Sequence, residues 1–253
     1  MYTIAVANQK GGSGKTTTTV NLSACLVEKG HKVLLVDLDP QAQASTCWRV
    51  EELEPKGTVF DMMLETRDPD RPLIEIGHQL QDGLTLVASE HISPDDEARL
   101  IAQPRRFTRL KESLQKARKD YDFAIIDCPP TLGVLTQNAL LASDAVLLTV
   151  ETSFLALHGV GRMLETVRTI RKQNPLRVFA LATMYDRRTN FATEVLEDMQ
   201  GYFKDMMLGT VIRQNVRLKE AASSGVSIID YARSSYGAED YRALANELLT
   251  KIG

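Results

Sequence analysis

Cysteine is scarce: Cys25, Cys47 and Cys128 are three in number and far apart in 253 residues. A disulfide framework is thereby excluded, and the absence of any C-x-x-C pair removes a zinc or redox site of that spacing. Free thiols in a reducing cytosol are the expected state. No apolar stretch approaches the ~20 residues that a membrane-spanning helix requires. The opening MYTIAVANQK has too short an apolar run for a secretory signal and reads as the first strand of a fold. The formal net charge of -3 supplies no global attraction for a polyanion, so contact with nucleic acid or an anionic membrane would need a local basic patch. Repeats, low-complexity tracts and linkers are also missing, and 43% hydrophobic with 25% charged residues is ordinary globular composition. The expectation is one α/β domain spanning 1–253 and a cytoplasmic location.

What is present is a regular alternation of short Val/Ile-rich runs with segments of helical period, the pattern of a doubly wound, mostly parallel sheet with helices on both faces. Strands are expected at Thr3 to Asn8, Lys32 to Asp37, Leu84 to Val87, Phe123 to Asp127, Ala145 to Val150 and Val178 to Met184, with a short one ending at Ile212. Leu157, Val160, Leu164, Val167 and Ile170 recur at the spacing of one buried helix face between Ala156 and Lys172. The stretch from Thr58 to Gln103 is the least regular and is expected to decorate the sheet edge. Arg105 to Lys119 reads as an amphipathic helix with Phe107, Leu110 and Leu114 inward and a solvated basic face.

Between the first strand and a helix expected from Thr16 to Lys29 lies Lys10-Gly11-Gly12-Ser13-Gly14-Lys15-Thr16. Glycines at a strand-to-helix turn let backbone N–H groups surround phosphate oxygens, and the helix N-terminus adds partial positive charge. Lys15 should reach the β- and γ-phosphates and the Thr16 hydroxyl should hold Mg²⁺. A buried strand, Val33 to Asp37, runs into Leu38-Asp39-Pro40-Gln41, and carboxylates at the C-terminal edge of a parallel sheet face the ligand crevice. A turn-stabilising role and a catalytic one are both open to Asp37. A third segment, Phe123-Ala124-Ile125-Ile126-Asp127-Cys128-Pro129-Pro130, places Asp127 as a Mg²⁺ ligand through water.

G-x-x-x-x-G-K-[ST] is not met, because its first glycine falls on Gln9, and Lys10 stands beside that position. The loop resembles the deviant Walker A motif of the family containing ParA, MinD and the nitrogenase iron protein, a group of P-loop ATPases. Two further blocks, Thr183-Met184-Tyr185-Asp186-Arg187-Arg188-Thr189-Asn190 and Val211-Ile212-Arg213-Gln214-Asn215-Val216-Arg217-Leu218-Lys219-Glu220-Ala221, resemble those of the short Soj-type ParA proteins. The resemblance implies ATP and Mg²⁺ as cofactors and catalytic roles for Lys10, Lys15 and Asp39. Lys10 would cross an interface to a partner's nucleotide, and Asp39 would orient the attacking water. Nucleotide contacts would come from Lys10 through Thr17 and, around adenine, from Met184, Asp186, Ile212 and Asn215; Thr16 and Asp127 would hold the metal.

By the same resemblance Arg188 and Arg217 bind double-stranded DNA without sequence preference, with Arg187, Arg213 and Lys219 as neighbours. The partners implied are a second copy of the chain, DNA and a ParB-like adaptor, and the protein would be nucleoid-associated when ATP-bound. The usual Ile-Pro-Arg-Asn is broken here, since Arg213 and Gln214 follow Ile212, so a rigid proline of the adenine wall is lost. The alternative reading is a ParA-like ATPase positioning another cargo, such as a carboxysome or chemotaxis cluster. A MinD-like membrane ATPase fits less well, because Tyr241 to Ile252 and the Asp240 just before it present acids such as Glu247 rather than a basic polar face. An iron–sulfur reductase would need better placed cysteines, and a tyrosine kinase would need a free tail after Tyr231, Tyr236 and Tyr241.

Overall fold

The computed structural model describes residues 1–64, 67–68, 70–153, 156–172 and 175–253, without the side chains of 156–159 and 171. In chain order the strands are β1 (Tyr2–Ala7), β2 (Val33–Asp37), β3 (Gly77–Gln81), β4 (Leu84–Val87), β5 (Phe123–Asp127), β6 (Ala145–Glu151), β7 (Arg177–Tyr185) and β8 (Met207–Arg213). The α-helices are α1 (Lys15–Glu28), α2 (Gln43–Cys47), α3 (Val59–Met63), α4 (Leu73–Ile76), α5 (Pro94–Ala102), α6 (Arg109–Lys116), α7 (Val134–Ala142), α8 (Ala156–Arg171), α9 (Asn190–Phe203), α10 (Val216–Ser223), α11 (Ile228–Tyr231) and α12 (Tyr236–Ile252).

The strands form one sheet in the order β3-β4-β2-β5-β1-β6-β7-β8, parallel throughout except for β3 against β4. The doubly wound expectation therefore holds. Because successive strand residues point to opposite faces, β1 and β2 each feed two cores. Ala5, Ala7, Leu34 and Val36 join α3, α6, α7, α8 and α9 on one face. Ile4, Val6, Val33 and Leu35 join α1, α10, α11 and α12 on the other. Both faces are covered by helices, which is why these strands are continuous apolar runs rather than alternating ones. The β1 loop opens at the C-terminal edge between β5 and β6, where the chain order of the sheet reverses.

Two expectations are corrected. The stretch from Thr58 to Gln103 is more than edge decoration: besides β3 and β4 it supplies Phe60, Met62, Met63, Leu73, Ile76 and Leu100 to the core. The basic segment does not begin a helix at Arg105. Helix α6 starts at Arg109, Phe107 lies before it, half-buried beneath the Arg106 guanidinium, and Arg109 is itself buried. Leu110 and Leu114 do face inward. In α8, Val160, Leu164, Val167 and Ile170 are buried, whereas the Leu157 side chain lies outside the described residues. The last helix packs as expected, with Leu244 and Leu248 in the core and Leu249 and Ile252 half-buried against it. Among the described residues no helix is long and apolar enough to cross a membrane.

The α3 correction has a measurable consequence. Phe60 is completely buried, so Phe60→Ala should destabilise the protein by ~3–5 kcal/mol in a denaturant titration. Ile74, half-exposed on the neighbouring α4, should cost less than ~0.5 kcal/mol when replaced by Ala. Equal effects at the two positions would contradict the buried placement of α3.

Candidate nucleotide site

The loop from Lys10 to Gly14 carries the chain from β1 into α1. Gly12 and Gly14 lie in the left-handed region, at φ 74° and 87°, which any Cβ would strain. Gly11 and Gly12 have no atom within 4 Å of an added Cβ, so their backbone faces open space where a phosphate can approach. The loop is fastened from behind. Asn8 Nδ2 donates to the Thr149 carbonyl at 2.6 Å, Ser13 and Thr149 hydroxyls lie 3.1 Å apart, and Thr183 Oγ1 donates to the Ser13 carbonyl at 2.9 Å. A cradle tied to β6 and β7 in this way needs little ordering when an anion arrives.

Lys15, buried at the start of α1, has its Nζ 3.5 Å from the Lys10 carbonyl, a weak contact that leaves the ammonium available to a ligand. Thr16 Oγ1 donates to Asp127 Oδ2 at 2.7 Å and Thr19 Oγ1 to Asp127 Oδ1 at 3.1 Å. Asp127 is fully buried at the end of β5, opposite Asp37 in the β2 ladder. Burial pushes the Asp127 carboxyl above the usual carboxylate range and the neighbouring Asp37 charge adds to this, while the Thr16 and Thr19 hydroxyls and Lys15 oppose it. A buried carboxyl raised in this way, chiefly by loss of solvent and next by a neighbouring negative charge, is one whose charged form a bound divalent cation would favour. A hydroxyl and a carboxylate are hard oxygen donors suited to Mg²⁺, which completes its shell with water and phosphate. No group of three or more His, Cys, Asp or Glu that could hold a metal occurs among the described residues.

Asp37 is tied into the next turn. It accepts the Asp39 N–H at 3.2 Å, the Ser45 N–H at 2.8 Å and the Ser45 hydroxyl at 2.7 Å. Of the two roles open to it, this geometry displays the turn-stabilising one. Burial raises its carboxyl, against those three bonds. Asp39, also buried, accepts the Gln41 N–H at 3.0 Å, and its carbonyl takes the Ser89 hydroxyl at 2.7 Å.

Beside the loop lies a cavity of about 580 Å³ lined by Gly14, Thr17, Met184, Ile212, Asn215 and Tyr241, among others, mostly apolar and open to solvent. Met184 adopts φ 57° where the β7–β8 register shifts, a strained conformation in a non-glycine residue. Asn215 caps α10 by accepting the Arg217 N–H at 2.9 Å. Thus Thr17, Met184, Ile212 and Asn215 come together beside the phosphate loop, and Asp186 does not line the cavity. Its carboxylate is occupied by Arg188, through the backbone N–H at 3.1 Å, Nε at 2.8 Å and Nη2 at 2.7 Å, and these bonds hold it well below the usual range, at about 2.

Arg213, at the position where the usual block has proline, donates its N–H to Asp240 Oδ2 at 2.8 Å, a bond proline cannot make. Its guanidinium also grips Asp240 and Glu239 and lies 4.2 Å from the Tyr236 ring centre. Arg213 is therefore a tether between β8 and α12 rather than a free cation of the surface. Arg217 pairs with Glu220 at 2.8 Å and Arg187 stacks on Tyr236 at 5.6 Å. Arg187, Arg188, Arg217 and Lys219 are all exposed near the carboxyl end of β7 and β8.

Fold and loop together define a P-loop nucleotide-binding protein. A family model described as an AAA domain matches residues 1–178. The sporulation initiation inhibitor protein Soj of Bacillus subtilis is 42% identical over 249 residues, covering 97% of each chain. The chromosome partitioning protein ParA of Myxococcus xanthus is 39% identical over 98% of this chain and 88% of its own. A solved structure of cobyrinic acid a,c-diamide synthase from Mycobacterium smegmatis, with a bound ATP analogue and magnesium, superposes with a TM-score of 0.83 at 32% identity, covering 100% of this chain and 96% of that one. The chain belongs to the ParA/MinD family of deviant Walker A ATPases, with Soj-type partition proteins among its relatives.

Proposed function

We propose that this protein is an ATP-driven partition switch: Mg-ATP brings two copies together as a sandwich, the dimer binds duplex DNA of any sequence, and hydrolysis, accelerated by a ParB-like adaptor, releases it. A cytoplasmic, nucleoid-associated location follows. The observation that carries the reading is the pair of lysines on one loop. Lys15 Nζ lies beside the loop, 3.5 Å from the Lys10 carbonyl, whereas the Lys10 ammonium is bonded to Glu151 and the Ser153 hydroxyl. In a two-fold assembly that ammonium can reach the other copy's phosphates and stabilise charge there. The relatives support the same reading, since two of them are named for chromosome partitioning or sporulation control.

Within each subunit Lys15 and the loop N–H groups bind the phosphates, Thr16 and Asp127 hold Mg²⁺, and Asp39 orients the attacking water. Bound Mg²⁺ supplies charge neutralisation at the phosphates. Thr17, Met184, Ile212 and Asn215 form the adenine side. The same cycle can move a chromosome, a plasmid or another cargo, the choice resting with the adaptor.

Lys10→Ala should bind ATP near parental affinity, yet remain monomeric in sedimentation at protein concentrations where the parent is dimeric with an ATP analogue. A Lys10→Ala protein that dimerises as the parent does would remove the sandwich reading.

A further inference from the structure

Lys10 is held by a partner of its own. Its ammonium rests on the Glu151 carboxylate and lies 3.1 Å from the Ser153 hydroxyl, which in turn sits 3.4 Å from the same carboxylate. Glu151 is the last residue of β6, so the acid is carried by the sheet. The other bonds fastening the loop to β6 and β7, at Asn8 and Ser13, are buried and uncharged. Lys10–Glu151 is the charged and partly solvated one, with side chains 38% and 28% exposed. One fastening of the loop is thus of a kind that can open without unfolding anything.

We propose that Glu151 parks Lys10 on its own subunit and thereby sets the threshold for nucleotide-driven dimerisation. This rests on the sandwich reading above. An ammonium engaged with Glu151 is withheld from a partner's phosphates, so each dimer that forms has to open two such pairs. The released carboxylate also faces incoming phosphate charge, which opposes assembly further. Glu151 is a positioning residue: it acts on the nucleotide of the second copy through where it holds Lys10.

Partly exposed pairs of this sort are worth about 1.4- to 5-fold each, so with two per dimer Glu151→Gln should lower the dimer dissociation constant by about 2- to 30-fold. Gln keeps the shape and the hydrogen-bonding reach while removing the charge. Two measurements test this. On nucleotide-free protein, competitive acylation read by peptide mass spectrometry should show Lys10 labelled several-fold faster in Glu151→Gln than in the parent. This readout needs no dimer. With a non-hydrolysable ATP analogue and Mg²⁺, sedimentation equilibrium should show the variant dimerising at lower protein concentration. Unchanged Lys10 labelling overturns the parking contact itself. Faster labelling with an unchanged or weaker dimer overturns the restraint. Faster labelling in proteins that never dimerise with the analogue overturns the sandwich reading and the threshold role with it.

Discussion

Asp39→Ala should bind Mg-ATP as tightly as the parent and turn it over about 10²- to 10⁴-fold more slowly, the range for a residue that positions or deprotonates the attacking water. The loop carrying Asp39 does not depend on its carboxylate. Asp37 holds the same turn through Ser45, and Ser89 holds the Asp39 carbonyl. Removing the side chain gives up one bond to the Gln41 N–H and leaves the Thr16–Asp127 pair untouched. Lys15→Ala should do the opposite. It withdraws a buried cation whose contact inside the protein is a 3.5 Å approach to a carbonyl, so ATP affinity should fall by about 10- to 150-fold, the equivalent of a charged hydrogen bond. Calorimetric titration measures the affinities and phosphate release under saturating ATP measures the turnover. Parental turnover in Asp39→Ala would take the water-orienting role away from Asp39.

The loop that carries these residues was largely legible in the sequence, for a physical reason. The phosphate loop is local chemistry: glycines, a lysine and a hydroxyl within seven residues, between a strand and a helix that identify themselves by apolar period. The central strands were readable because burial on both faces demands uninterrupted apolar runs, as in Val33 to Asp37. β3 was not, since Gly-His-Gln-Leu-Gln lies at the sheet edge and lacks that demand. The signal that could have found it was Asp82-Gly83, a two-residue connection with Gly83 at φ 81°. Phe107 misled because an apolar residue three before Leu110 fits a helical stripe, and only tertiary placement shows the chain still turning there.

Charge pairing divides the same way. Arg188 with Asp186 and Arg217 with Glu220 are two and three residues apart, within reach of a sequence argument. Arg213 with Asp240 spans 27 residues and depends on α12 lying along β8. The left-handed Met184 and the contact of Lys10 with Glu151 belong to the same class, since both arise where segments distant in sequence meet.

DNA binding should fall for every sequence alike when Arg188 and Arg217 are both replaced by Glu, while nucleotide-dependent dimerisation is kept. Both arginines are exposed and each already holds a carboxylate. DNA phosphates would therefore have to compete with Asp186 and Glu220, and one subunit's patch would bind weakly. On the proposed sandwich, two patches on one duplex would make the second engagement effectively intramolecular, which would let ATP control DNA binding in a chain of net charge -3. Glu at 188 would place like charge beside Asp186, and Glu at 217 would do so beside Glu220, so reversal repels phosphate rather than merely ceasing to attract it. Each DNA phosphate that is no longer neutralised should lower the slope of log affinity against log salt by about 0.9. A dimer whose four arginines each neutralise one phosphate should therefore show a slope shallower by about 3.6 after the double reversal. Gel-shift titration at several salt concentrations, with the ATP analogue and without nucleotide, reads both affinity and slope. Binding that ignores nucleotide, or that survives the double reversal with its slope intact, would leave a dimerising ATPase with no partition surface at these two arginines.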